Sequence, residues 1–245
     1  MIRKKALNQE MSMGGLVLEM AATFYNEFFV RKDYDWWYVV QPGDTVVDLG
    51  ACVGMMSADS LDKGAAKVYM VEANRELLKT AIENVSEYMM NEPDPKVYPI
   101  NAIIGTSGAD GCYVTKRAPL PADDIDRISF KELITNYDIQ KIDYLKCDIE
   151  GNEYDVFNTE NLDYCLNNVK HIGCEIHIKA TEEGPEKFIK FRDTFLKRFV
   201  ESPLHKVRTM DQYNNVVSAI WDNDVVRNIP LGNSYFMLYI TRVDA

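Results

Sequence analysis

The chain has 245 residues, 38 Asp and Glu against 27 Lys and Arg, and a formal net charge of −11. Its basic residues are scattered rather than massed, which argues against nucleic acid or an anionic membrane as the main partner. The length allows a sizeable core, and no composition break or Pro/Gly/Ser-rich linker divides the chain, so one domain is expected. The five cysteines (Cys52, Cys112, Cys147, Cys165, Cys174) are odd in number and lack a C-x-x-C pair, a pattern of reduced thiols in a cytoplasmic compartment. Arg3, Lys4 and Lys5 are followed by Asn8, Gln9 and Glu10 before any apolar run, so no signal peptide is read. No stretch is long and apolar enough to span a bilayer.

Val17, Met20, Ala21, Phe24 and Phe28 recur at helical spacing, predicting an amphipathic helix over residues 14–30. Trp36, Trp37 and Tyr38 follow, placed either to line a substrate pocket or, the favoured reading, to pack in the core or cover the sheet edge. After the Pro42-Gly43 turn, TVVDLGACVGMMS (45–57) reads as strand, tight turn and helix start. A helix over 54–63, a strand over 67–73 and a helix over 74–90 come next, the last ended by NEPDP because proline cannot continue it. A third strand over 96–104 leads to Gly105, Gly108 and Gly111, an extended piece at Tyr113 and Val114, and the run PADDIDR. Asp123, Asp124 and Asp126 lack the spacing and glycine of a calcium loop, so a solvated loop is favoured there. Beyond lie a serine-capped helix over 129–137, a strand over 142–149, a helix over 153–165 and a strand over 171–178. The chain ends with a Phe-rich helix (Phe188, Phe191, Phe195, Phe199), a strand near 205–210, an undefined stretch and a last strand over 235–241. Strands alternating with helices predict a doubly wound α/β fold with a mostly parallel sheet.

The chemistry gathers at the predicted strand ends. Gly50 and Gly54 would let a ligand approach the backbone, with the helix's first-turn N–H groups facing it. Asp48, two residues earlier, suits a cationic partner such as an amino group, and D-x-G-x-x-x-G is not the dinucleotide fingerprint. Glu72 falls 22 residues after Gly50, near the spacing at which nucleotide-binding folds place an acid for ribose hydroxyls. Asn101 closes the third strand, where an amide can meet an adenine edge. An acid for an amine, glycines for close approach, an acid for a ribose and an amide for a base describe S-adenosylmethionine better than a dinucleotide.

The segments VVDLGACVG (46–54), VYMVEANRELLKTAIENV (68–85), SFKELITNYDIQKIDYLKCDIEGNEYDVF (129–157) and IGCEIH (172–177) resemble the FkbM-type S-adenosylmethionine-dependent methyltransferases. The third segment is the most specific, since a helix, a strand and D-x-E-G-x-E in that order rarely arise by chance. The resemblance implies the Rossmann-like class I methyltransferase fold, a seven-stranded sheet with a reversed last strand, over residues 43–245, behind an N-terminal helical extension (1–42). It implies cofactor contacts from Asp48, Gly50, Gly54 and Glu72, with Asn101 at the adenine position. Their neighbours Ala51, Cys52, Ala73 and Ala102, and Asp148 at the end of the fourth strand, belong to the same expected set. Cys52 stands where many proteins of the wider fold have glycine or a polar residue; a thiol is small enough to keep the loop.

Methyl transfer is an in-line displacement, so the protein must mainly align the acceptor and remove its proton. Asp148 and Glu150 end the fourth strand, Glu175 and His177 the fifth, and a parallel sheet brings those ends to one edge. His177, with the side-chain pKa nearest neutrality, is the first expectation for general base, and Asp148 for orienting the acceptor. A divalent ion on Asp148, Glu175 and His177 is the less favoured reading, because no H-x-x-x-H spacing supports it. The expectation is O-methylation of a small molecule, sugar or glycan, with self-association left open. An inactive methyltransferase-like module binding a nucleoside or a protein is the alternative, and a Rossmann oxidoreductase using NAD the weakest.

Overall fold

A computed structural model describes residues 26–89, 95–105, 125–178, 183–211, 215–228 and 234–243. Residues 14–25 of the helix expected over 14–30, Cys112, Gly108, Gly111, the piece at Tyr113 and Val114, and Asp123 and Asp124 lie outside these residues. Seven strands form one sheet in the order β3-β2-β1-β6-β7-β9-β8. They are β1 (Thr45–Leu49), β2 (Lys67–Glu72), β3 (Val97–Asn101), β6 (Ile142–Cys147), β7 (Val169–Ile178), β8 (His205–Met210) and β9 (Ser234–Arg242). β1, β2, β3, β6 and β7 pair in parallel, while β9 runs antiparallel to both β7 and β8. A second, two-stranded sheet pairs β4 (Ile103–Ile104) with β5 (Arg127–Ile128).

The strands read as nearly continuous apolar runs because helices cover both faces. On one face Val47, Leu49, Leu145, Cys147, Ile172 and Cys174 join the core, packed by α3 (Phe130–Asn136), α4 (Glu153–Val156), α5 (Leu162–Asn168) and α6 (Glu183–Phe191). On the other, Val46, Val68, Met70, Tyr144 and Tyr239 pack against α1 (Met55–Asp62), α2 (Arg75–Asn84) and the segment holding Tyr34 and Val40. Residues two apart on a strand share a face. That period puts Asp48, Lys146 and Glu175 on the Tyr34 face. The Phe-rich helix forms as expected: Phe191, Phe195 and Phe199 stack in succession from α6 through a π-helical turn into α7 (Lys197–Glu201).

Several boundaries differ from the sequence-based expectation. The third strand stops at Asn101, and Ile103–Ile104 leave to pair with Arg127–Ile128. β3 is the sheet edge, which tolerates Pro99 because one side of the strand needs no N–H donor. The expected helix over 153–165 is two helices. Between them the Asn161 amide donates to the Val156 carbonyl at 2.9 Å, and Asn158 accepts from the Asn161 N–H at 3.1 Å. Short amide side chains capturing backbone groups in this way compete with the helix. The undefined stretch contains a 3-10 turn (Ala219–Trp221) and α8 (Asn223–Arg227), and Asn26–Arg31 is a π-helical turn. Tyr38 stacks on His171 at the start of β7, Arg208 lies 4.3 Å over the Trp37 ring, and Trp36 is exposed. Trp37 and Tyr38 thus pack against the core on the Tyr34 face. Among the described residues no helix is long and apolar enough to cross a membrane.

Both loop glycines answer to packing. Gly50 has φ +78°, and a Cβ there would stand 1.8 Å from the Asp148 carbonyl oxygen. At Gly54, also φ +78°, a Cβ would meet the Ala81 methyl of α2 at 2.9 Å. Gly50→Ala should therefore lower the unfolding free energy by at least the roughly 1–3 kcal/mol of a strained backbone position. Urea denaturation checks this, and an unchanged midpoint would count against the contact.

Candidate active site

The loop after β1 is strapped to the end of β2 by Glu72. Its two carboxylate oxygens accept from the backbone N–H of Cys52 at 2.8 Å and of Asn74 at 2.7 Å. The strap holds Cys52 at φ +52°, an uncommon conformation for a side chain with a Cβ. Burial raises the pKa of Glu72 despite the two N–H bonds, and burial together with the Glu72 charge pushes the Cys52 thiol up to about 12. Asn101 donates to the carbonyls of Glu72 and Ala73, both at 2.9 Å. It fixes the chain just before Asn74, whose side chain caps α2 by accepting from the Glu76 and Leu77 N–H groups. Ala51 and Ala102 are buried beside these turns.

Asp48 is fully buried, and its Oδ2 accepts from the Ser57 hydroxyl at 2.7 Å. Its other oxygen lies 3.5 Å from the ammonium of Lys146, which is 2% exposed. Lys146 donates to the carbonyls of Gly50 at 2.6 Å and Leu49 at 3.1 Å, and stands 4.0 Å from Asp148 and 5.6 Å over the Tyr34 ring. Burial opposes its charge, yet Asp48 and Asp148 hold its pKa above the ordinary value. Sequence analysis assigned Lys146 no role. The available signal was a lysine inside an apolar strand, spaced by two from Tyr144 and Asp148.

Asp148, Glu150, Glu175 and His177 do converge, and Glu153, the last acid of D-x-E-G-x-E, organises them. Its fully buried carboxylate accepts from the N–H groups of Ile149 at 3.1 Å and Gly151 at 3.0 Å, and meets His177 Nδ1 at 3.0 Å. The turn after β6 and the end of β7 are thus tied to one side chain. His177 Nε2 then faces Glu175 at 3.4 Å and Glu150 at 3.7 Å. Tyr34 donates to Asp148 at 3.1 Å, from a segment held by Tyr144 and Tyr239, whose hydroxyls donate to the carbonyls of Tyr34 and Asp33. Glu27 adds a further acid, raised to about 7 by burial and by Asp148. Tyr34 and Glu27 were missed because their positions depend on how the N-terminal segment crosses the sheet.

The electrostatics redistribute the expected roles. Burial works against a charged His177, but the Glu153 charge and the bonds to Glu153 and Glu175 outweigh it, holding the imidazole up to about 12. Glu175 is raised to about 7, first by burial and then by Asp148. These shifts make His177 hold its proton more tightly than a free imidazole and place Glu175 near neutrality.

Two outcomes follow. Lys146→Met should cost about 3–5 kcal/mol of stability by leaving buried carboxylates unpaired. In the Lys146→Met/Asp48→Asn pair the loss should be smaller than the sum of the single losses, a coupling that urea denaturation of all three variants reads. Glu175 binds its proton more tightly when folded, so its contribution is complete below pH 4.5 and lost as pH rises through about 7. The His177 contribution fades only above its ordinary value of 6.5. Glu175→Gln should therefore flatten the decline of Tm between pH 4.5 and 7, and an unaltered decline would place that titration elsewhere.

The methyltransferase FkbM domain family matches residues 48–202. A methyltransferase FkbM from Methylobacillus flagellatus KT superposes with a TM-score of 0.52 at 16% identity, covering 88% of this chain and 47% of the other, so the chain spans about half of that protein. An O-methyltransferase from Bacillus cereus in complex with SAH gives 0.42 at 10% identity, covering 98% and 89%. An rRNA methylase from Streptococcus thermophilus gives 0.42 at 12%, covering 84% and 90%. No curated protein matches the chain. With its matched segment containing the β1 loop, the Glu72 strap and the acid–histidine cluster, the chain belongs to the methyltransferase FkbM domain family.

Proposed function

We propose that the chain methylates oxygen, placing the methyl of S-adenosylmethionine on a hydroxyl of a small molecule, sugar or glycan. The observation that carries this reading is the junction at Gly50, whose Cβ position lies 1.8 Å from the Asp148 carbonyl oxygen. It sets the loop expected to hold the donor directly beside the acid–histidine cluster.

The loop residues suit the donor. Glu72 uses one acceptor position on each carboxylate oxygen and keeps others for ribose hydroxyls. Asp48 Oδ1 makes no hydrogen bond and already faces the Lys146 ammonium at 3.5 Å, so Asp48 serves the donor by holding, through Lys146, the loop at Gly50. Asn101 acts on the adenine side by fixing the chain at Ala73, and Gly50, Ala51, Cys52, Gly54 and Ala102 shape the wall. When bound, S-adenosylmethionine supplies a methyl already activated on a sulfonium, so the chain needs only to align the acceptor and take up its proton. Asp148, oriented by Tyr34, aligns the hydroxyl. Glu175 accepts the proton, since a carboxyl raised to about 7 is matched to that task. His177, charged and held by Glu153, keeps Glu150 and Glu175 in place. The acidic surface and the family favour an uncharged hydroxyl compound over nucleic acid.

Calorimetric titration of the full chain with S-adenosylhomocysteine should show micromolar binding. It should weaken about 10-fold or more in Glu72→Gln, which keeps the size but loses charged hydrogen bonding. Transfer of labelled methyl to a panel of sugars, glycans and small alcohols should then be detectable. A folded chain that binds no S-adenosylhomocysteine would sink the donor assignment, and label entering RNA instead would sink the acceptor class.

A further inference from the structure

We propose that Asp148, Glu175 and His177 form a divalent transition-metal site at the carboxyl ends of β6 and β7, suited to Mn²⁺ or Zn²⁺. One carboxylate oxygen from each acid and one nitrogen of His177 lie within 4.8 Å of one another. Adjacent ligands of an ion with bonds near 2.1 Å stand about 3.0 Å apart and opposite ligands about 4.2 Å. The spacing of His177 Nε2 to Glu175 at 3.4 Å is therefore already near that of neighbouring ligands. Small side-chain rotations close the remainder.

The second, independent observation is the partner on the far side of the imidazole. Metal-bound histidines commonly give their other ring N–H to a carboxylate, which fixes the ring and raises its basicity. Here the fully buried Glu153 meets Nδ1 at 3.0 Å, so Nε2 is the nitrogen aimed at Glu175 and Glu150. The Tyr34 hydroxyl orients Asp148 from its own side. Two of the three ligands are thus set by outer contacts, and the third, Glu175, is fixed by its place on β7, where it stands opposite Met237 of β9. Two carboxylates with one imidazole are a mixed hard and borderline set, which favours Mn²⁺ or Zn²⁺ over Mg²⁺. The chemistry gained is that of a Lewis acid: an acceptor oxygen on the ion loses its proton more readily. Binding would displace the proton of His177 Nε2 and make Glu175 a ligand, so the ion takes over the activation assigned above to that carboxylate and the acceptor's proton passes to solvent. The site does not rest on the donor assignment, because the ligands all lie on the acceptor side.

The test is metal binding by the full chain after chelator treatment, with Mn²⁺ followed by paramagnetic resonance and Co²⁺ by visible absorption. One ion per chain at micromolar dissociation constant is expected, weakened at least 10-fold in Glu175→Gln and in His177→Ala, and about 10-fold in Glu153→Gln. Circular dichroism melts establish that each variant folds; if His177→Ala does not, Glu175→Gln carries the comparison. S-Adenosylhomocysteine titration of the same samples separates a failed donor assignment from a failed metal site. Wild-type binding that is absent, or no tighter than in the Glu175→Gln variant, would overturn the proposal.

Discussion

Everything at the sheet's carboxyl edge depends on one buried ammonium. Lys146 stands between Asp48 and Asp148 and donates to the carbonyls of Leu49 and Gly50. A lysine with 2% exposure is tolerable only because every direction it faces offers negative charge or a carbonyl dipole. The same contacts close the loop after β1 onto the end of β6. The region expected to hold the donor and the region expected to hold the acceptor are therefore one electrostatic unit, and neither can move without exposing a charge.

Glu153 plays the corresponding part on the acceptor side. By accepting from two backbone N–H groups and His177 at once, it fixes a turn that contains Glu150 at φ +57° and Gly151 at φ +106°. The cost of this conformation is met by the bonds to a carboxylate that has no access to water. The consequence for chemistry is a charged imidazole among carboxylates, one of which is held near neutrality. Proton affinity has moved from the histidine to an acid, a reversal that ordinary side-chain pKa values do not suggest.

The N-terminal segment joins these two units. Tyr144 and Tyr239, from β6 and β9, donate their hydroxyls to the backbone of residues 33 and 34, and Tyr34 in turn reaches Asp148. Three tyrosines thus fasten a stretch with little regular structure across the strand ends that carry Asp148. They lie on the face that carries Lys146, while the opposite face packs Val47, Leu49, Leu145 and Cys147 into the larger apolar cluster.

The amino-acid sequence by itself determined the strand and helix order, the glycine turn after Leu49, the acid at Glu72 and the meeting of Asp148, Glu175 and His177. Those features follow from apolar periodicity and from the rule that parallel strands end at a common edge, both written locally along the chain. It also carried D-x-E-G-x-E without revealing which acid organises the turn. Tertiary structure alone decided that Gly50 is shaped by the Asp148 carbonyl, that Lys146 is the counter-ion, that Tyr34 reaches the site and that Glu153 raises the proton affinity of His177. Each of these depends on contacts between residues far apart in the chain, where burial and neighbouring charge, rather than residue type, set the energies. Helix breaks such as the one at Asn158 and Asn161 belong between the two: the residues are local, but their capture of the backbone becomes legible only once the chain has turned.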